Sequence, residues 1–82
     1  MSKIKKTPTE AKRDLENWWF ENYLKYVDIT ADDEEGFIKI EGKDGSPIFG
    51  LDSLGQWCAF HEYGVWASYN IVKRCPQIVI SI

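Results

Sequence analysis

Apolar positions change their period along the chain, and that change sets out the elements. No glycine or proline falls between Thr9 and Asp28, and apolar residues recur there at the three- and four-residue spacing of a helix. At 100° per residue, Ala11, Leu15, Trp18, Trp19, Phe20, Tyr23, Leu24, Tyr26 and Val27 occupy one arc of roughly 240°. Thr7-Pro8-Thr9-Glu10 supplies the start: a threonine N-cap, proline at the first helical position and glutamate at the third. The pattern predicts one helix of about five turns, centred on Leu15–Val27. A one-sided surface helix needs an apolar stripe only a little wider than about 100°. Trp18, Trp19 and Phe20 alone fan across about 200°, so they cannot all face one small core. Two expectations follow. Either the remaining chain wraps this helix, or a flank carrying Trp18, Phe20 and Leu24 is left for a partner, as aromatic residues favour interfaces.

Asp28–Gly36 has five acidic residues among its first eight and reads as a solvated acidic loop, with Asp32, Asp33, Glu34 and Glu35 available to meet a basic partner. It fails as a calcium loop: with Gly36 at the obligatory sixth position, the first and twelfth are Ala31 and Gly42, where carboxylates are required. Phe37–Glu41 alternates as a strand, Gly42-Lys43-Asp44-Gly45 has turn chemistry, and Ser46–Gly50 reads as the return strand. Pro47 places that arm at an edge or a strand start.

Leu51–Arg74 supports two readings. Leu54, Trp57, Cys58, His61, Val65, Tyr69 and Val72 are spaced as on a helix, Ser53-Leu54-Gly55-Gln56 resembles a second capping box, and Lys73-Arg74 before Pro76 suits a helix end. Against this stand Gly55, Gly64 and the aromatic, β-branched composition, which suit a hairpin turning at Glu62-Tyr63-Gly64. The helix over residues 54–72 is preferred. Gln77–Ile82 alternates Ile78, Ile80 and Ile82 onto one face and predicts a strand that covers one edge of the hairpin. The expected fold is α+β: N-terminal helix, β-hairpin, second helix and C-terminal strand, with a small antiparallel sheet on the long helix. Residues 1–6 are expected to form a flexible basic tail and 7–82 one compact domain.

Composition narrows this. The 82 residues allow one domain that buries about 60–65% of its unfolded surface. No run approaches the ~18 apolar residues of a membrane span, and no apolar signal segment follows the basic start, so the cytoplasm is the expected location. The net charge of −3 is uneven: residues 1–13 hold five Lys/Arg against one Glu, and residues 14–62 hold twelve Asp/Glu against three Lys. That balance argues against a general nucleic-acid binder. The alternative of a small nucleic-acid-associated regulator would use Lys3, Lys5, Lys6, Lys73 and Arg74.

Candidate chemistry is sparse. Cys58, His61 and Cys75 offer three zinc ligands where a structural site takes four, usually at tighter paired spacing. A disulfide between the cysteines and a Cys58–His61 nucleophile–base pair are further alternatives, but two buried thiols and a packing histidine are the simpler expectation. No Gly-rich phosphate loop is present, and no motif calls for a cofactor.

Asp14–Ile40, with Trp-Trp-Phe-Glu-Asn-Tyr followed by Val-Asp-Ile-Thr and an Asp/Glu-rich stretch, resembles small accessory proteins of tailed phages and prophages. The resemblance covers about a third of the chain; Gly55 and Gly64 depart from it, and it defines no catalytic residue. It implies a protein that binds bacterial host or defence machinery. The expected function is thus a non-enzymatic protein-binding module, an inhibitor acting by occlusion in the bacterial host cell. Trp18, Phe20 and Leu24 would anchor it, and Asp32–Glu35 would steer it to a basic protein surface. A second copy of the chain is another candidate to cover the aromatic flank.

Overall fold

The computed structural model describes residues 6–19 and 21–82. Two main helices and one helical turn lie on one face of a four-stranded antiparallel sheet. In chain order the elements are α1 (Pro8–Trp18), α2 (Glu21–Leu24), β1 (Val27–Asp32), β2 (Phe37–Gly42), a short 3-10 turn (Lys43–Gly45), α3 (Leu51–Phe60), β3 (Gly64–Asn70) and β4 (Cys75–Ser81). The sheet order is β1-β2-β4-β3, so the fold is α+β with an N-terminal helix, a hairpin and a C-terminal strand.

The capping box forms as read. The Thr7 hydroxyl accepts from the Glu10 N–H at 3.2 Å, and the Glu10 carboxylate accepts from the Thr7 N–H at 3.0 Å. Ala11 and Leu15, four residues apart, are fully buried against the sheet. The five-turn helix does not persist. Trp19 adopts an extended conformation (φ −76°, ψ 147°) and closes α1 by donating its N–H to the Leu15 carbonyl at 2.8 Å. The physical reason is the ring mismatch noted above. A continuous helix would hold Trp19 100° away from Trp18. By leaving the helix, the chain turns Trp19 into the core, where it is 4% exposed, while Trp18 stays 43% exposed. The indole N–H of Trp19 ends up buried without a hydrogen-bond partner. Phe20 lies outside the described residues.

The acidic segment is half strand. Val27, Ile29 and Ala31 face the helices, and Asp28, Thr30 and Asp32 alternate onto the other face, paired in register with Phe37–Gly42. The first hairpin is therefore 27–32 with 37–42, not 37–41 with 46–50. Ser46–Gly50 is irregular and delivers Ile48 to the core. Gly50, at φ +73°, turns the chain into α3 at Leu51, two residues before the expected cap at Ser53. A Cβ at Gly50 would sit 2.8 Å from Tyr23 Cε2 and 3.1 Å from Trp19 Nε1, so this turn is the floor on which two aromatic rings rest.

The helix expected over 54–72 ends at Phe60. The Tyr63 N–H bonds to the Cys58 carbonyl at 2.8 Å, Glu62 takes a positive φ of 61°, and β3 begins at Gly64. The break falls at Glu62-Tyr63-Gly64, but it joins a helix to a strand rather than two strands. Val65, Trp66 and Tyr69 are β-branched or aromatic and fit a pleated surface better than a helix. The C-terminal strand forms and pairs β2, placing Ile80 opposite Ile38 and Ile78 opposite Ile40. These four isoleucines, with Leu15, Leu54 and Cys58, are the centre of the core. Each large aliphatic side chain buried there is worth about 1.5–3 kcal/mol relative to exposure.

The face opposite the helices carries Phe37, Lys39, Glu41, Trp66, Gln77 and Val79. At one end Glu41 is buried, taking Lys73 Nζ at 3.2 Å and Asn70 Nδ2 at 3.4 Å. Asn70 also donates to Gln77 at 3.1 Å and accepts from the Lys73 N–H at 3.0 Å, which ties the β3–β4 turn down.

Candidate functional site

An open concave feature lies where the end of α1 meets α3. Trp18 stacks on Trp57, with ring centroids 5.7 Å apart. Trp57 in turn meets His61 at 4.7 Å, and His61 stacks on Tyr63 at 5.2 Å. Trp57 and His61 are one helical turn apart, so α3 presents them side by side. Phe60 projects beside them, edge-on to His61 at 5.3 Å, and is almost wholly exposed. Trp18, Ser53, Gln56, Trp57, Phe60 and His61 line an open cleft of about 390 Å³, within the size range of sites that receive a small ligand or a large side chain. Its walls are ring faces and edges, with the amide of Gln56, the hydroxyl of Ser53 and the imidazole of His61 as polar groups. Such a lining suits an apolar or aromatic group with one polar tip.

Of the residues singled out as partner-binding, Trp18 stands at the rim of this cleft. Leu24 is only half-exposed and packs against the core. The acidic group is elsewhere. Asp33 accepts from the Thr9 N–H and hydroxyl, both at 2.9 Å, seating a carboxylate on the first turn of α1, where the helix dipole favours negative charge. Asp32 accepts from the N–H groups of Glu34 and Glu35 at 3.1 and 3.0 Å and shapes the turn. Glu34 and Glu35 are fully at the surface. Thr9 and Trp18 are separated by ~14 Å along α1, so the aromatic and acidic groups sit at opposite ends of one helix. Trp57, Phe60 and His61 enter the cleft through α3, a partnership that periodicity within α1 does not reveal; the clustering of Trp57, Phe60, His61 and Tyr63 in the sequence was the available signal.

Cys58, His61 and Cys75 do not converge. Among the described residues no group of three or more His, Cys, Asp or Glu side chains is placed to hold a metal ion. Cys58 lies in the core, and burial pushes its thiol up to about 11, the wrong direction for a nucleophile. Cys75 starts β4 on the face shared with Gln77 and Val79, away from Cys58; both are free thiols. The recorded ring neighbours of His61 are Trp57, Phe60 and Tyr63. Of the basic residues, Lys6 pairs with Asp14 and Lys73 with Glu41, while Lys3 and Lys5 lie outside the described residues. No helix among those described is long and apolar enough to cross a membrane. Comparison with models of known protein families, with curated proteins and with solved structures gives no match.

Proposed function

We propose that the protein is a non-enzymatic binding module that occludes a surface of another protein, with the α1–α3 cleft receiving an apolar or aromatic side chain of that partner. The observation that carries this reading is the stacked Trp18–Trp57 pair with Phe60 beside it. Its outer rings are half or almost wholly exposed. Exposed aromatic groups held rigid by their neighbours lose little entropy on binding and make strong anchors. The open carboxylates of Glu34 and Glu35 act at a distance, raising the rate of encounter with a basic surface. The likeness of Asp14–Ile40 to phage accessory proteins extends the reading to an inhibitor of bacterial host or defence machinery.

The test is capture from bacterial lysate followed by titration of the recovered partner. Trp18→Ala and Phe60→Ala are each expected to weaken binding at least tenfold. Glu34→Lys with Glu35→Lys is expected to slow association and remove its salt dependence, leaving dissociation nearly unchanged. A partner that binds both aromatic variants as tightly as the parent protein would overturn the assignment of the cleft.

A further inference from the structure

The two outer strands of the sheet are built differently. β1 carries Asp28 and Asp32, the kind of charge that keeps an exposed edge from pairing. β3 is seven residues long, Gly-Val-Trp-Ala-Ser-Tyr-Asn, with no charge and no proline. It is also exposed on both faces: Trp66 is 59% open on the helix-free side, and Val65 and Tyr69 are 42% and 60% open on the other. Trp66 lies over Gly64, where a Cβ would come within 2.9 Å of its ring, so the ring is laid against the sheet rather than projecting from it. A long, uncharged, apolar edge is the configuration that recruits another strand.

We infer that this edge pairs with the β3 edge of a second copy, antiparallel about a two-fold axis at Ala67, to give a continuous eight-stranded sheet. Three features select a second copy. First, a strand centred on Ala67 matches itself fully: Val65 faces Tyr69 of the partner subunit, a β-branched–aromatic pair, and the small Ala67 and Ser68 leave room at the axis. Second, the strand is neutral in a chain of net charge −3, so like charges are kept off the contact. Third, Ile71 at 81% and Val72 at 93% are among the most exposed large apolar residues described. They follow β3 directly, in the turn to β4. Antiparallel pairing brings the start of one strand to the end of the other, so this open pair lies at each of the two ends of the contact. The two-fold closes the assembly and leaves only the acidic β1 edges outside.

The contact is modest. Large aromatic side chains bury ~150–250 Å² each, so a partly exposed Trp66 and Tyr69 with Val65 supply a few hundred Å². A standard interface buries about 800 Å² per partner. The dimer is thus expected at a dissociation constant on the order of micromolar. This surface lies apart from the α1–α3 cleft, so it goes beyond the proposed function and does not depend on it.

Sedimentation equilibrium between about 1 and 500 µM tests the inference. The parent protein should follow a monomer–dimer equilibrium. Ala67→Lys and Ala67→Glu should each weaken the dimer at least tenfold by placing like charges at the axis, and a 1:1 mixture of the two should regain it as a heterodimer. Trp18→Ala should leave the constant unchanged. Hydrogen exchange of the parent protein gives a readout without substitutions: amides of Gly64–Asn70 should gain protection as concentration rises. A monomer throughout the range, a dimer indifferent to both Ala67 charges, or β3 exchange independent of concentration would each overturn the inference, the second pointing to another surface.

Discussion

At the residue scale, Cys58 shows how burial sets chemistry. Its thiol ionises near 11 in the fold, against an ordinary 9.0, because a thiolate there would lose its water. Its contribution to stability is therefore present below pH 9. It is lost as pH rises toward 11, because the unfolded chain gives up its proton first. Burial also raises the Tyr63 hydroxyl, so both groups add to the alkaline slope. Urea unfolding of the parent protein and Cys58→Ala between pH 8.5 and 11 should show the steeper fall in the parent. Equal slopes would mean the thiol does not contribute. Gly50 illustrates a backbone constraint. Any other residue there meets both the positive φ and the rings of Trp19 and Tyr23. Gly50→Ala should cost about 2–4 kcal/mol in chemical denaturation, combining left-handed strain with overpacking.

At the scale of elements, the start of α1 is the best-supported boundary. Glu10 is held below the usual carboxylate range by its bonds to the backbone and hydroxyl of Thr7. A lowered folded value contributes stability above the ordinary 4.5 and loses it as pH falls through the folded value. Glu10→Gln should accordingly flatten part of the decline in melting temperature between pH 5 and 3; an unchanged acid slope would argue against the cap. This boundary was legible because Thr7, Pro8 and Glu10 act locally. The Ile78–Ile80–Ile82 alternation was legible for the same reason. The end of α1 was not, because Trp19 leaves the helix to fill a core made by residues far away in the chain. β1 was hidden by the acids: Asp28 and Asp32 lie on its open face, where the charge density of the segment mimics a loop. Val65, Tyr69 and Val72 keep helical spacing by coincidence, and only the β-branched and aromatic content around Gly64 pointed to a strand. Within the cleft, Trp18 could be singled out from the fan of rings. Its partners on α3 could not, since nothing local links positions 18 and 57.

For the whole molecule, the surfaces are distributed rather than merged. The aromatic cleft is at one end of α1, the open glutamates of the β1–β2 turn are near the other, and the neutral β3 edge lies across the sheet. A partner held at the cleft would meet the acidic turn only if it spans ~14 Å or more. Steering and anchoring are therefore separable by substitution, which is why the Glu34 and Glu35 reversals should act on association alone.

The order of the strands has a kinetic consequence. β1–β2 and β3–β4 are each joined by a short turn, but β2 and β4 are drawn from positions about 40 residues apart. The two halves can zip locally, and the slow event is the closing of the seam where Ile38 meets Ile80 and Ile40 meets Ile78. Until that seam shuts, both halves carry a bare row of isoleucine, so the interval before closure is when the chain is most exposed to aggregation.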